Sequence, residues 1–228
     1  MRFSVYLTEG VYDPSIFKAI FLAGGSGSGK SFVASKTTSG MGLKLVNSDT
    51  IFEKLAKKNK IDLTNMKMGG PEELKRNTIR NIAKDITLRQ MNHYVNGRLG
   101  VVIDGTGRRY EKILKQKNMM ESFGYDTYMI FVNTSLDVAH QRNQKRGRNV
   151  ADEIVTSSWE AVQSNMGKFQ SLFGLNKFKI VDNSEYVDDK HVFSDVWKEV
   201  MKFTKKPPQN KIAKEWINAA LDKKKGDL

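Results

Sequence analysis

The chain has 228 residues, enough for an α/β domain with a substantial buried core, and it contains no cysteine. The lack of cysteine excludes disulfides, a thiol nucleophile and cysteine-based zinc sites. No apolar run reaches the roughly 18 residues of a membrane span, and the first residues lack a signal-peptide pattern. We therefore expect an intracellular, cytoplasmic protein. The sequence gives no indication of its oligomeric state.

The formal net charge is +13, from 38 Lys and Arg against 25 Asp and Glu. Such an excess suits a polyanionic partner, for which nucleic acid is the obvious candidate. The alternative is a solubilising surface together with the arginines that any nucleotide enzyme needs. Charge alone therefore leaves nucleic-acid binding open.

Five apolar, β-prone runs alternate with segments of helical periodicity. This alternation is typical of βαβ units and predicts an α/β fold with a parallel sheet. The predicted strands are Phe17–Ala23, Leu43–Asn47, Val101–Asp104, Tyr128–Asn133 and Phe178–Asp182.

The first predicted strand leads into GGSGSGKS, which satisfies the pattern GxxxxGK[ST]. Glycines let successive backbone N–H groups turn toward a polyphosphate, and a helix starting near Lys30 adds its positive dipole end. Lys30 is placed for the β- and γ-phosphates, and the Ser31 hydroxyl for Mg²⁺. The segment therefore predicts a nucleoside triphosphate site. This phosphate-binding loop consists of Gly24, Gly25, Ser26, Gly27, Ser28, Gly29, Lys30 and Ser31.

A carboxylate, Asp49, follows the second predicted strand. The carboxyl edge of an open α/β sheet is where ligands bind, and a carboxylate there can accept the proton of a hydroxyl that attacks the γ-phosphate. Alternatively, Ser48 or Asp49 caps a helix through Phe52 and Leu55. The two roles are compatible.

A helix is predicted from Pro71 to about Asn96, after a loop over residues 66–70, because proline and two acids are typical of a first helical turn. The third strand then ends in Asp104, as a Walker B element does. Asp104 can hold a Mg²⁺-bound water or bind a substrate hydroxyl, and the sequence does not decide between them.

Glycines flank Thr106 and allow the backbone to approach a substrate closely. Arg108 or Arg109 could then bind a substrate phosphate. The alternative is an ordinary basic turn.

After the fourth strand, a helix starting near Ser135 carries Arg142 and Arg146, which are four residues apart and share a helix face. Arginines there can neutralise charge on the transferred phosphoryl oxygens, as a closing lid does, and Gly147 offers a point of bending. A solvated basic run is the alternative.

Two more helices are predicted in the C-terminal third, Val150–Phe173 and about His191–Thr204. Two prolines then break the chain, which divides it into a main domain, residues 1–204, and a basic tail, residues 205–228. The tail could be a short helix docked on the domain, a partner-binding segment or a basic arm. Docking is the commoner outcome.

These landmarks together resemble the P-loop kinase group that contains polynucleotide 5′-kinases and zeta-toxin kinases. The resemblance spans about residues 17–183 and rests on the phosphate-binding loop, Asp49, the Asp104–Thr106 segment and the two arginines, Arg142 and Arg146. It implies a three-layer P-loop NTPase fold with a five-stranded parallel core sheet and an arginine lid.

The resemblance also implies ATP as donor and Mg²⁺ as cofactor. Asp49 would be the general base, Lys30 and Ser31 would contact phosphates and metal, and Arg142 and Arg146 would act from the lid. Asp104 and Thr106 would hold the substrate. Asp104 and Ser31 are also the candidate metal ligands.

The implied reaction moves the γ-phosphoryl group of ATP to a hydroxyl on nucleic acid or on a nucleotide-like molecule. The FLAGGSGSGKS stretch and the basic balance also resemble kinase-like proteins of bacterial viruses, some of whose relatives phosphorylate hydroxymethyl groups on modified DNA bases. The protein would then act in the host cytoplasm. The alternatives are a zeta-toxin-like kinase of a nucleotide sugar or small metabolite, and a nucleotide-dependent binding module without transfer activity.

Overall fold

The computed structural model describes residues 10–63, 70–145, 150–184 and 189–226. Arg146 and Gly147 lie outside these ranges, as does most of the predicted loop over residues 66–70. None of the helices in the described ranges combines the length and the apolar character needed to cross a bilayer.

Five parallel strands form one sheet in the order β2-β3-β1-β4-β5. The first strand is central, and its loop therefore opens in the middle of the carboxyl edge. This architecture confirms the predicted α/β fold with a five-stranded parallel sheet. The strands are β1 (Lys18–Ala23), β2 (Lys44–Val46), β3 (Val101–Asp104), β4 (Asp126–Asn133) and β5 (Phe178–Asp182).

Eight α-helices occur in the described ranges, with a 3₁₀ turn, Leu175–Lys177, before β5. They are α1 (Lys30–Thr38), α2 (Ser48–Lys58), α3 (Gly70–Asn96), α4 (Tyr110–Ser122), α5 (Leu136–Gln144), α6 (Asp152–Phe173), α7 (Asp189–Lys205) and α8 (Lys211–Gly226).

The central strand β1 is buried on both faces, and its side chains alternate between two cores because strand periodicity is two. Ala19, Phe21 and Ala23 belong to a core with residues of α3, α4, α6 and α8. Ile20 and Leu22 belong to a second core with residues of α1 and α7. The sheet is therefore the middle of three layers.

Two element boundaries differ from the predicted ones because polar side chains fix them. Strand β4 begins at Asp126, two residues before the apolar run, because the Asp126 carboxylate is buried against the Lys18 ammonium at 2.9 Å. Helix α6 begins at Asp152 instead of Val150, because the Asn143 side chain binds both the backbone N–H and the carbonyl of Val150.

The C-terminal helix α8 packs at the amino edge of the sheet. Its Trp216 ring lies edge-on to Phe17, with ring centroids 5.7 Å apart, and beneath the Arg98 guanidinium at 5.0 Å. The backbone N–H groups of Gln209 and Asn210, just before the helix, donate to the Asp126 carboxylate at 2.9 and 3.2 Å. The helix thus lies at the end of the sheet opposite the phosphate-binding loop.

Candidate active site

The phosphate-binding loop joins β1 to α1 and leaves no room for a side chain at Gly24 or Gly27. A Cβ at Gly24 would lie 2.7 Å from both the Ser28 Oγ and the carbonyl oxygen of Val132. Real Cβ atoms do not approach backbone so closely, which makes glycine necessary at this position. The loop therefore has the tight backbone curvature that its sequence predicts.

Two polar groups of the loop point to an anionic ligand. The Lys30 ammonium folds over the loop and donates to the carbonyls of Gly24 at 2.7 Å and Gly25 at 3.1 Å. The Ser28 side chain is 1% exposed, and its Oγ has no hydrogen-bond partner among the described residues. A buried hydroxyl without a partner is costly, so a ligand that hydrogen-bonds it would be stabilised here.

Asn47 connects the two carboxylates predicted from the sequence. Its Nδ2 donates to the Asp104 Oδ2 at 2.6 Å. Its Oδ1 accepts from the backbone N–H groups of Asp49 at 2.7 Å and Thr50 at 3.3 Å. Asn47 is therefore the N-cap of α2, and the alternative that Ser48 or Asp49 caps this helix is wrong.

Asp49 instead lies exposed in the first turn of α2, beside the positive end of the helix dipole. Asp104, at the end of β3, is partly buried. Burial raises the pKa of the Asp104 carboxyl, the Lys30 ammonium lowers it, and Asp49 raises it again. Lys30 and Asp49 thus lie close enough to Asp104 to affect its carboxyl.

We expect the substitution Asp104→Asn to stabilise the protein without ligand at neutral pH. Folding raises the pKa of this carboxyl, so the ionised form opposes folding, whereas asparagine is neutral and can still accept the bond from Asn47. The melting temperature of the variant relative to wild type should climb as pH rises from the ordinary carboxyl range through the raised pKa. The expected result is therefore a gain in melting temperature that grows with pH. An equal difference at acid and neutral pH would contradict the prediction.

The loop after β3 is hydrogen-bonded to the phosphate-binding loop and to α6. The Thr106 carbonyl accepts from the Gly24 N–H at 3.0 Å. The buried Asn165 of α6 donates through Nδ2 to the carbonyls of Gly107 at 3.0 Å and Arg108 at 3.1 Å. The side chains of Thr106, Arg108 and Arg109 are exposed at this edge.

Arg142 lies in α5 and is half-buried. Its Nη1 donates to the Asn183 carbonyl at 2.8 Å and is 3.7 Å from the position that a Cβ at Gly29 would take. The structure thus brings Arg142 to the phosphate-binding loop. The described part of the helix ends at Gln144, and Arg146, which the sequence predicts on the same face, lies outside the described residues.

Three site asparagines, Asn47, Asn165 and Asn183, were not singled out by the sequence. Asn47 and Asn183 directly follow β2 and β5, and polar residues after parallel strands lie at the ligand-binding edge. Their position after a predicted strand could therefore have indicated that these two residues belong to the site. Asn165 lies within an amphipathic helix, where the pattern gives no such signal.

Oxygen donors for a magnesium ion are available at this edge. Asp104 ends β3, and Ser31 lies exposed in the first turn of α1. Hydroxyl and carboxylate oxygens are ligands that Mg²⁺ accepts, usually beside waters and phosphates. Within the described ranges no three His, Asp or Glu side chains group as a metal site would require. The residues therefore fit a metal held mainly by nucleotide and water.

Solved structures with the same fold include a protein regarded as a kinase from Chloroflexus aurantiacus. It has a TM-score of 0.55 at 14% identity, over 81% of this chain and 98% of that one. The PezAT chromosomal toxin–antitoxin system of Streptococcus pneumoniae matches with a TM-score of 0.53 at 14% identity, over 83% and 87%. The structure of AvrRxo1-ORF1:-ORF2 with ATP matches with a TM-score of 0.55 at 14% identity, over 85% of this chain and 70% of that one.

These similarities confirm the P-loop NTPase kinase-like fold. No curated protein sequence matches the chain. A family model described as AAA domain matches residues 20–169, which include the phosphate-binding loop, Asp49 and Asp104. Because the match covers more than half of the sequence, the chain belongs to this AAA domain family.

Proposed function

We propose that the protein is an ATP- and Mg²⁺-dependent phosphotransferase that moves the γ-phosphoryl group to a hydroxyl of an acceptor. One observation carries this proposal: the Asn47 side chain joins the Asp104 carboxylate to the backbone of Asp49, at the edge of the sheet where Lys30 lies on the phosphate-binding loop. A phosphate-binding cation, a candidate metal ligand and a candidate base therefore meet at one edge of the sheet. Groups of these three kinds recur together in enzymes that transfer phosphoryl groups.

In this proposal Lys30 and the loop amides bind the β- and γ-phosphates. Ser31 and Asp104 would hold Mg²⁺, which when bound neutralises negative charge on the phosphates. Asp49 accepts the proton of the attacking hydroxyl, a role that suits an exposed carboxylate in a first helical turn at the carboxyl edge. Asp104 and Thr106 line the acceptor side of the same edge.

Arg142 is the lid arginine of the proposal, with Arg146 as its sequence-predicted companion. The position of Arg142 beside Gly29 supports this role, because a guanidinium there can bind phosphoryl oxygens as charge develops.

The proposed acceptor is nucleic acid or a nucleotide-like molecule. The net charge of +13 and the exposed Arg108 and Arg109 next to Thr106 support an anionic acceptor. A small metabolite, such as a nucleotide sugar, is a second candidate, as the resemblance to zeta-toxin kinases implies.

A label-transfer screen separates these acceptors. Wild-type protein is incubated with γ-labelled ATP, Mg²⁺ and one pool each of DNA, hydroxymethylated DNA, RNA, nucleosides and nucleotide sugars. Label on a polynucleotide supports the first candidate, and label only in small molecules supports the second. ATP binding with no labelled acceptor would favour a nucleotide-dependent binding module instead.

We expect Lys30→Ala to weaken ATP binding about 10- to 100-fold, because hydrogen bonds to charged groups contribute about 1.5–3 kcal/mol. Calorimetric titration with Mg²⁺ and ATP measures the effect. Lys36→Ala is the matched control, since Lys36 lies on the same helix, is exposed and contacts the Phe32 ring at 5.6 Å. Equal affinities of wild type and Lys30→Ala for ATP would contradict the proposal that this loop binds the nucleotide.

A further inference from the structure

Asn183, directly after β5, touches both the phosphate-binding loop and the arginine beside it. Its side chain is buried, and Nδ2 donates to the Ser28 carbonyl at 2.8 Å. Its own backbone carbonyl accepts from the Arg142 Nη1 at 2.8 Å. One residue thus joins the loop to the guanidinium.

The backbone at residue 183 is itself fixed to the end of β4. Its N–H donates to the Asn133 carbonyl at 2.9 Å, and its carbonyl also accepts from the Thr134 Oγ1 at 3.3 Å. The carbonyl that receives Arg142 therefore has a position set by the sheet and by the side-chain amide together.

Gly29 shows how closely these groups meet. Its φ is 80°, in the left-handed region that favours glycine. A Cβ there would collide with the Asn183 Nδ2 and would lie 3.7 Å from the Arg142 Nη1. The amide, the guanidinium and the start of α1 therefore share one small volume, at a helix N-terminus where backbone N–H groups bind anions.

We propose that Asn183 is a positioning residue that holds Arg142 against the phosphate-binding loop, where the guanidinium can contact the nucleoside triphosphate. The inference rests on the proposed function, since it requires a nucleotide at this loop. A guanidinium has five N–H donors, and the bond to residue 183 uses one of them while it sets the direction of the group. Fixing the arginine before the ligand arrives reduces the ordering cost of binding.

A double-mutant cycle between Asn183 and Arg142 tests this proposal, with ATP and Mg²⁺ as the probe in calorimetric titrations. Asn183→Ala should weaken ATP binding about three- to tenfold, the range of one net hydrogen bond. In the Arg142→Ala background the same substitution should change affinity less than about twofold, because its effect passes through the arginine. Asn183→Ser is measured in the same cycle as a second variant.

Asn210→Ala is the matched control. Its Nδ2 also donates to a backbone carbonyl, that of Glu121 at 2.7 Å, but at the amino edge of the sheet. The control should lower thermal stability and leave ATP affinity unchanged. Additive effects in the cycle, or a wild-type affinity in Asn183→Ala, would overturn this inference alone. A wild-type protein that binds no ATP would overturn the proposed function as well.

Discussion

Replacing Asp49 by asparagine should lower the rate of phosphoryl transfer about 10²–10⁴-fold while ATP affinity stays within about threefold of wild type. A positioned general base contributes this much to a rate, and asparagine cannot accept the acceptor's proton. Asp49 follows the Asn47 cap and lies exposed in the first turn of α2. The loss should therefore appear in kcat, and nucleotide binding should be nearly intact.

The measurement is single-turnover label transfer to whichever acceptor the screen identifies, beside calorimetric titration with ATP. Glu53→Gln is the matched control, because it removes another exposed acid from the same helix, one turn further along. It should transfer at a near wild-type rate. Full activity in Asp49→Asn would exclude Asp49 as the base. A large loss of ATP affinity would assign it to nucleotide binding instead.

Lys18→Met should lower the free energy of unfolding by about 3–5 kcal/mol, the typical cost of breaking a buried ion pair from one side. Lys18 and Asp126 have side chains 1% and 8% exposed, and their charged atoms are 2.9 Å apart. Burial lowers the pKa of Lys18, and the Asp126 carboxylate opposes that effect. Methionine would leave Asp126 buried with two backbone N–H donors but no cation.

Urea denaturation measures this loss. Lys179→Met is the matched control, because Lys179 is also a strand lysine but its pair with Glu199 is half-exposed, with side chains 34% and 47% exposed. Such a pair contributes about 0–1 kcal/mol. The double variant Lys18→Met/Asp126→Asn should recover much of the lost stability, since no buried charge remains. Equal losses in Lys18→Met and the control would contradict the prediction.

The parts of the fold that the sequence predicts best are those in which burial and apolarity coincide. The observed bounds of β3 are the predicted ones, because buried parallel strands consist of continuous apolar runs. The edge strand β5 also has its predicted bounds, although only Phe178 and Val181 in it are buried. The start of β4 could not be predicted in the same way. Asp126 and Thr127 are polar in sequence yet buried, and the Asp126 carboxylate pairs with a lysine 108 residues away.

The candidate site shows the same division. Glycines, Lys30 and the strand-end acids form local patterns with a known chemical purpose, so the sequence alone predicts them. Their catalytic roles stay predictions, as does the domain division at residue 204. Asn47 and Asn183 directly follow strands, which indicates the ligand-binding edge, whereas Asn165 lies within a helix and has no such signal. All three bind groups far away in the chain, so these contacts could be seen only in three dimensions.

The three tryptophans occupy three separate environments, which gives the molecule optical probes of its own. The Trp159 indole donates to the Thr134 carbonyl at 2.7 Å, and its Cα lies 3.4 Å from where a Cβ at Gly25 would be. Trp197 lies against the end of α1, and Trp216 reports on the docking of α8. A chain with phenylalanine at positions 197 and 216 would keep one tryptophan, Trp159, next to the phosphate-binding loop. Its fluorescence could then follow ligand arrival in real time, without a dye.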